Sequence, residues 1–343
     1  LLREFSAPVQ LHFEYGDEEL AFLFAHDSDA FNRWEAGQRL ASRLLLGQID
    51  QIRAGHEPGL PDLFLDAFRK ALLDRRADPA LISLALTLPG EIELAEAMPV
   101  ADPGAIHAAR TRLRCNLAKT LAPELSAVMH QMRDTGIYAI TPAAIGRRSL
   151  KNLCMAYLAL LGSEEISEKC FHQFTDADNM TDRLMALTCL VHEKLPLWEE
   201  ALAAFYHQYQ DDPLVVDKWF TLQATAPGDA TLDHVRQLMD HPAFNLKNPN
   251  RMRALVSAFA HANPACFHDV SGAGYHFVAD QVLALDGFNP QVAARLVGPL
   301  IRWRRYDEGR QALMRAQLER ISQRQGLSRD VAEVVGKALS EQR

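Results

Sequence analysis

Between residues 6 and 15 apolar side chains take every second place, as Ala7, Val9, Leu11, Phe13 and Tyr15, which is the period of a half-buried strand. After Gly16 the period becomes helical and holds to the end of the chain. Apolar spacing and Pro or Gly breaks predict helices at 17–25, 29–54, 60–75, 78–88 and 102–133, the last kinked or broken at Pro123. A second series is expected at 141–161, 164–174, 179–193, 196–210, 213–225 and 230–239. A third runs 250–262, 275–286, 290–303, 307–323 and 328–340. Phe31, Trp34, Leu40, Leu44, Leu45 and Ile49 fall near one side of the long second helix, a stripe read as core packing. Helices joined by short turns without a strict repeat predict an all-α fold, an irregular right-handed superhelix, or solenoid, of paired helices. A short β-strand remnant opens it. One strand cannot stand alone, so 1–16 reads as the end of a preceding β-domain and 17–343 as the helical domain.

Composition narrows the partners. The formal charge of −8 argues against nucleic acid, whose binding rests on excess Lys and Arg. No apolar run reaches the roughly 20 residues of a membrane span. The five cysteines are widely spaced and lack a CxxC pair, which fits a reducing cytoplasm and neither a disulfide framework nor a thiolate zinc site. The chain begins with Leu1 rather than Met and leads directly into the expected strand, as an excised piece of a longer protein would.

Three Asn-Pro steps stand at Asn248-Pro249, Asn263-Pro264 and Asn289-Pro290. The first and third precede helical runs, where Asn caps the orphan N–H groups and Pro fits the first turn. Just inside sit Asn250, Arg251 and Arg253, then Gln291 and Arg295. Such helix starts suit anionic or carbonyl groups. Two other stretches are read structurally. VVDKWF at 215–220 is expected to pack against preceding domains, and DNMTD at 178–182 to cap a helix through Asn179 or Thr181. The DVSGAG loop at 269–274 lacks the features of a phosphate loop and reads as a connector.

The run NPNRMRALVSAFAHANPACFH, followed by GAGYHFVADQVLAL and FNPQVAARLVGPLIRWRRYD, resembles the C-terminal helical domain of bacterial aminopeptidase N, in the M1 family of zinc metallopeptidases. FTDADNMTDRLMAL and PLVVDKWFTLQATAP upstream resemble the same domain in the same order, and LLREFSAPVQLHFEY resembles the last strand of the β-domain before it. The resemblance implies an enzyme that removes N-terminal residues from peptides with zinc-activated water. It also implies that zinc belongs to the full-length enzyme and is bound by none of this chain. His56-Glu57 and His192-Glu193 each lack the second histidine of HExxH, and no two of the 13 histidines stand at i, i+4. The piece is therefore expected to be inactive alone. It would cap the active-site chamber, with the catalytic and β-domains of the same protein as partners and peptides as substrates. Residues matching Arg253, Gln291 and Arg295 would face the chamber and contact peptide; unaided, the sequence suggests instead that the arginines pair with Asp or Glu of neighbouring helices. The rival reading is a free-standing helical scaffold binding a protein or peptide on its concave face.

Overall fold

Helix starts in this chain are written by Asp, Asn, Ser and Thr. Asp29, Asp78, Thr141, Ser163, Asn179, Asp212, Asn248, Asn263, Asn289 and Asp307 each accept a backbone N–H of the turn they begin. The computed structural model describes residues 13–134 and 136–340, so the expected strand lies largely outside the described residues. The helices are α1 Asp17–His26, α2 Ala30–Arg53, α3 Asp62–Leu72, α4 Pro79–Ala85, α5 Glu91–Ala97, α6 Pro103–Thr120 and α7 Ala122–Gln131. Next come α8 Pro142–Ala159, α9 Glu164–Asp176, α10 Met180–His192, α11 Trp198–Tyr209, α12 Pro213–Ala224 and α13 Thr231–Met239. The last are α14 Pro249–Met252, α15 Ala258–Ala262, α16 Pro264–Phe267, α17 Ala273–Asp286, α18 Pro290–Leu296, α19 Gly298–Ile301, α20 Glu308–Ser322 and α21 Arg329–Ser340. The fold is all-α. Among the described residues the only β pairing is an isolated parallel bridge between Ala101 and Tyr306.

The described chain forms two compact units, one holding residues up to Leu94 with Ala105–Ala201, the other Ala95–Gly104 with Leu202 onward. In the first, Leu20, Phe24, Leu45, Ile49 and Phe68 are buried, and Gly37 is required where α2 passes α1, because a Cβ there would meet the Phe24 ring at 2.8 Å. The expected stripe on α2 is only partly core. Leu40, Leu45 and Ile49 are buried, whereas Phe31 and Trp34 are 39% and 36% exposed and line an open apolar groove with Leu81 and Leu84 of α4. They lie in the first turns, where the buried positions are Arg33, Ala36 and Gly37 instead. The break expected at Pro123 is found at Leu121, between α6 and α7.

A polar network is built into the same unit. Lys151 of α8 and Asp182 of α10 are both buried and meet at 2.7 Å. The amides of Asn152 and Asn179 also donate to the Asp182 carboxylate, at 2.9 and 3.2 Å. Gln173 donates to Asn152 Oδ1 and to the Asp182 carbonyl, both at 3.0 Å. A buried charge is tolerated only when so paired and bonded.

The second unit packs Phe205, Phe220, Phe259, Phe267 and Tyr275 at its centre, each fully buried. VVDKWF contributes to this core: Val216 and Phe220 are buried, and the Trp219 indole donates to the Leu202 carbonyl at 3.1 Å, while Lys218 stays exposed. The 269–274 loop is a connector with two demanding glycines. Gly272 has φ of 70°, and a Cβ on Gly274 would stand 2.5 Å from the Phe267 carbonyl oxygen. Beside it His268 is buried, with Nδ1 3.0 Å from the Tyr275 hydroxyl and its ring 4.2 Å from that of Tyr306. Burial, and then the Arg310 guanidinium, pushes this imidazole down to about 3.

Candidate substrate-contact surface

The first Asn-Pro step starts a helix that is not uniform. Asn248 accepts from Asn250 N at 3.0 Å and Pro249 opens α14. After one turn the chain widens into a π-helical segment, Arg253–Ser257, before resuming as α15. A π turn disturbs the regular carbonyl pairing, and Thr221 of α12 donates its hydroxyl to the Ala254 carbonyl at 3.0 Å. The sequence carries no visible signal for this turn.

The two arginines of NPNRMR separate completely. Arg251 is buried and bonded: Nη1 reaches Asp217 Oδ1 at 2.5 Å and the Pro213 carbonyl at 2.8 Å, and Nε reaches the Ala243 carbonyl at 2.9 Å. Its role is structural. Arg253 is exposed, and its Nε donates back to the Pro249 carbonyl at 3.2 Å. No carboxylate of a described residue forms an ion pair with it.

The third step behaves as expected at its start and differs at its end. Asn289 accepts from Val292 N at 3.3 Å and α18 follows, but it stops at Leu296 where a single helix over 290–303 was expected. Pro299 cannot donate the next rung, so α19 begins anew at Gly298. Gln291 and Arg295 are both exposed, four residues apart on α18 and thus neighbours on one face. Neither side chain is bonded to a described residue. A Cβ at Gly298 would lie 3.5 Å from His261 Nε2, so α19 begins beside the end of α15. His261 Nδ1 is in turn 3.0 Å from the Ser257 carbonyl, at the end of the π segment that Arg253 begins. A guanidinium fork and an amide side by side, with a second exposed guanidinium on the π-bearing helix, supply donors suited to carbonyl and carboxylate oxygens.

Among the described residues no group of three or more His, Cys, Asp or Glu could hold a metal ion, and no helix is long and apolar enough to cross a membrane.

Residues 17–340 match the family described as "Domain of unknown function (DUF3458_C) ARM repeats". Aminopeptidase N of Caulobacter vibrioides is 45% identical over 338 residues, covering 98% of this chain and 39% of that protein. Aminopeptidase N of Escherichia coli is 41% identical over 340 residues, covering 99% of this chain and 39% of that protein. The chain thus spans well under half the length of these curated relatives. The crystal structure of Legionella pneumophila aminopeptidase A in complex with aspartic acid superposes with a TM-score of 0.87 at 32% identity, covering 98% of this chain and 40% of that one.

Proposed function

The chain belongs to the aminopeptidase N family as its C-terminal helical domain, and on that premise we propose that it caps the active-site chamber of a longer, cytoplasmic peptidase that removes N-terminal residues from peptides. The zinc of such an enzyme activates water for attack on the peptide bond. Among the described residues no donor set fits a zinc centre, so the share of the reaction assigned to them is that of side chains that bind, orient and exclude water. Arg295 would take a carbonyl or the C-terminal carboxylate of the peptide, Gln291 an adjacent amide, and Arg253 a further acceptor. Enclosure by the helical domain would limit substrate size and strengthen each of these contacts by excluding bulk solvent.

The observation that supports this reading best is the pairing of Gln291 with Arg295 on an exposed face, unbonded among the described residues, while Arg251 close by the equally exposed Arg253 is consumed by the fold. In the intact longer protein Arg295→Ala is expected to raise KM for tripeptides by about ten- to hundredfold, the worth of one hydrogen bond to a charged group, with kcat little changed. A fall in kcat at unchanged KM would refute the contact. The 343-residue chain alone is expected to bind no zinc at stoichiometric level and to leave an alanine chromogenic substrate intact.

A further inference from the structure

The first unit contains a cavity of about 380 Å³ bounded by the end of α7, by Gly136 and Tyr138, and by α8, α9 and the turn into α10. That volume lies within the range of small-molecule sites. Its floor holds the buried Lys151–Asp182 pair, with Met129 and Met155 as an apolar patch, both buried. The Asp182 carboxylate is fully engaged by Lys151, Asn152 and Asn179. The Lys151 ammonium is not. It has three N–H groups, and only the one directed at Asp182 meets a described acceptor.

The remaining charges sort by whether they are already neutralised. Asp134 is held by Arg147 and Arg148, and Lys169 by Glu165. Three rim groups are left over. Arg133, at the end of α7, is exposed and forms no ion pair with a described residue. Asp176 and Asp178, on the α9–α10 turn, are exposed and accept only from neutral neighbours, the Thr175 hydroxyl and the Asn179 amide, each at 3.0 Å. Charges of opposite sign thus line one cavity without bridging it. A phosphate would meet repulsion from the two carboxylates, and a polyamine from the guanidinium and Lys151. A ligand carrying both an ammonium and a carboxylate meets neither.

We propose that this cavity binds a free α-amino acid with an unbranched apolar side chain. Arg133 and the free N–H groups of Lys151 take its carboxylate, Asp176 and Asp178 take its ammonium, and its side chain lies on Met129 and Met155, whose thioethers adapt to such a chain. The site stands on this cavity alone and is independent of the peptidase reading, since none of Arg253, Gln291 or Arg295 contributes to it.

Calorimetric titration of the 343-residue chain with L-methionine tests it. Saturable binding of one equivalent is expected, with N-acetylmethionine and methionine amide, each lacking one charge, at least about tenfold weaker. The exposed substitutions Asp178→Asn and Arg133→Gln should each weaken methionine by about tenfold while the melting temperature stays put. The proposal is overturned by absence of saturation up to about 10 mM, by equal binding of the three ligands, or by unchanged affinity in both variants. An alanylmethionine dipeptide that binds more tightly than methionine overturns it as well, because the ligand would then be a peptide.

Discussion

The Arg251 guanidinium lies 2.5 Å from the Asp217 carboxylate, 34 residues away, and 5.6 Å from the centre of the Phe220 ring, so one side chain fastens the start of α14 to α12. Their side chains are only 9% and 18% exposed. Arg251→Ala would leave Asp217 largely shielded from water without its cation and remove the donor from two carbonyls. A loss of about 3–5 kcal/mol in urea unfolding is expected. Pairing the change with Asp217→Leu, and using Arg251→Met, should recover much of it, because a packed apolar pair carries no desolvation cost.

Gln291→Glu tests the neighbouring surface without touching the core. A glutamate four residues before Arg295 forms the favourable helical pair and draws the guanidinium away from a ligand. In the longer protein a several-fold rise in KM for peptides is expected. Thermal stability of this chain should change by no more than about 0.5 kcal/mol.

Two glycines on helices should respond oppositely to alanine. Gly47 on α2 has open space around an added Cβ, so Gly47→Ala should stabilise the chain by about 0.5–1 kcal/mol. At Gly274 the methyl would collide with backbone, at 2.5 Å from the Phe267 carbonyl oxygen. A loss of about 2–3 kcal/mol is expected there. Melting curves of the two variants against the parent decide both signs.

His268 makes stability depend on pH. Its folded pKa is depressed to about 3 from 6.5, so between those values the unfolded chain binds a proton that the folded chain does not. Stability from this group is complete above about 6.5 and is lost as pH falls toward 3, at up to about 1.4 kcal/mol per pH unit. His268→Gln should flatten the dependence of unfolding free energy between about pH 6 and pH 4 by close to one proton. An unchanged slope would mean that the imidazole is charged in the fold.

What could be read in advance was the chemistry of local starts. Asn248 and Asn289 carry their caps on the chain itself, and DNMTD caps α10 through Asn179 Oδ1, 2.9 Å from Asp182 N, as expected. Four features were not legible. The helix Glu91–Ala97 is too short for its period to stand out from the loop around it. The π turn at Arg253 has one of its carbonyls met by Thr221, a partner more than 30 residues away. The split between Arg251 and Arg253 is decided by which one faces Asp217, 34 residues from Arg251, a distance over which sequence spacing carries no signal. The second role of DNMTD, carrying Asp182 down to Lys151, requires α8 and α10 to be adjacent. Periodicity predicts that a face is buried, but not what it meets.

The Arg305 guanidinium donates to the carbonyls of Ala95, Glu96 and Met98, the first across 210 residues of chain. With the Ala101–Tyr306 bridge, this fixes the segment Ala95–Gly104 into the unit that otherwise begins at Leu202. On a ribosome adding about 5–20 residues per second, that segment emerges roughly 10–40 s before the arginine it is waiting for. During that interval those carbonyls lack the guanidinium that gathers them, and the segment remains within reach of chaperones and proteases until the last hundred residues of the helical array arrive.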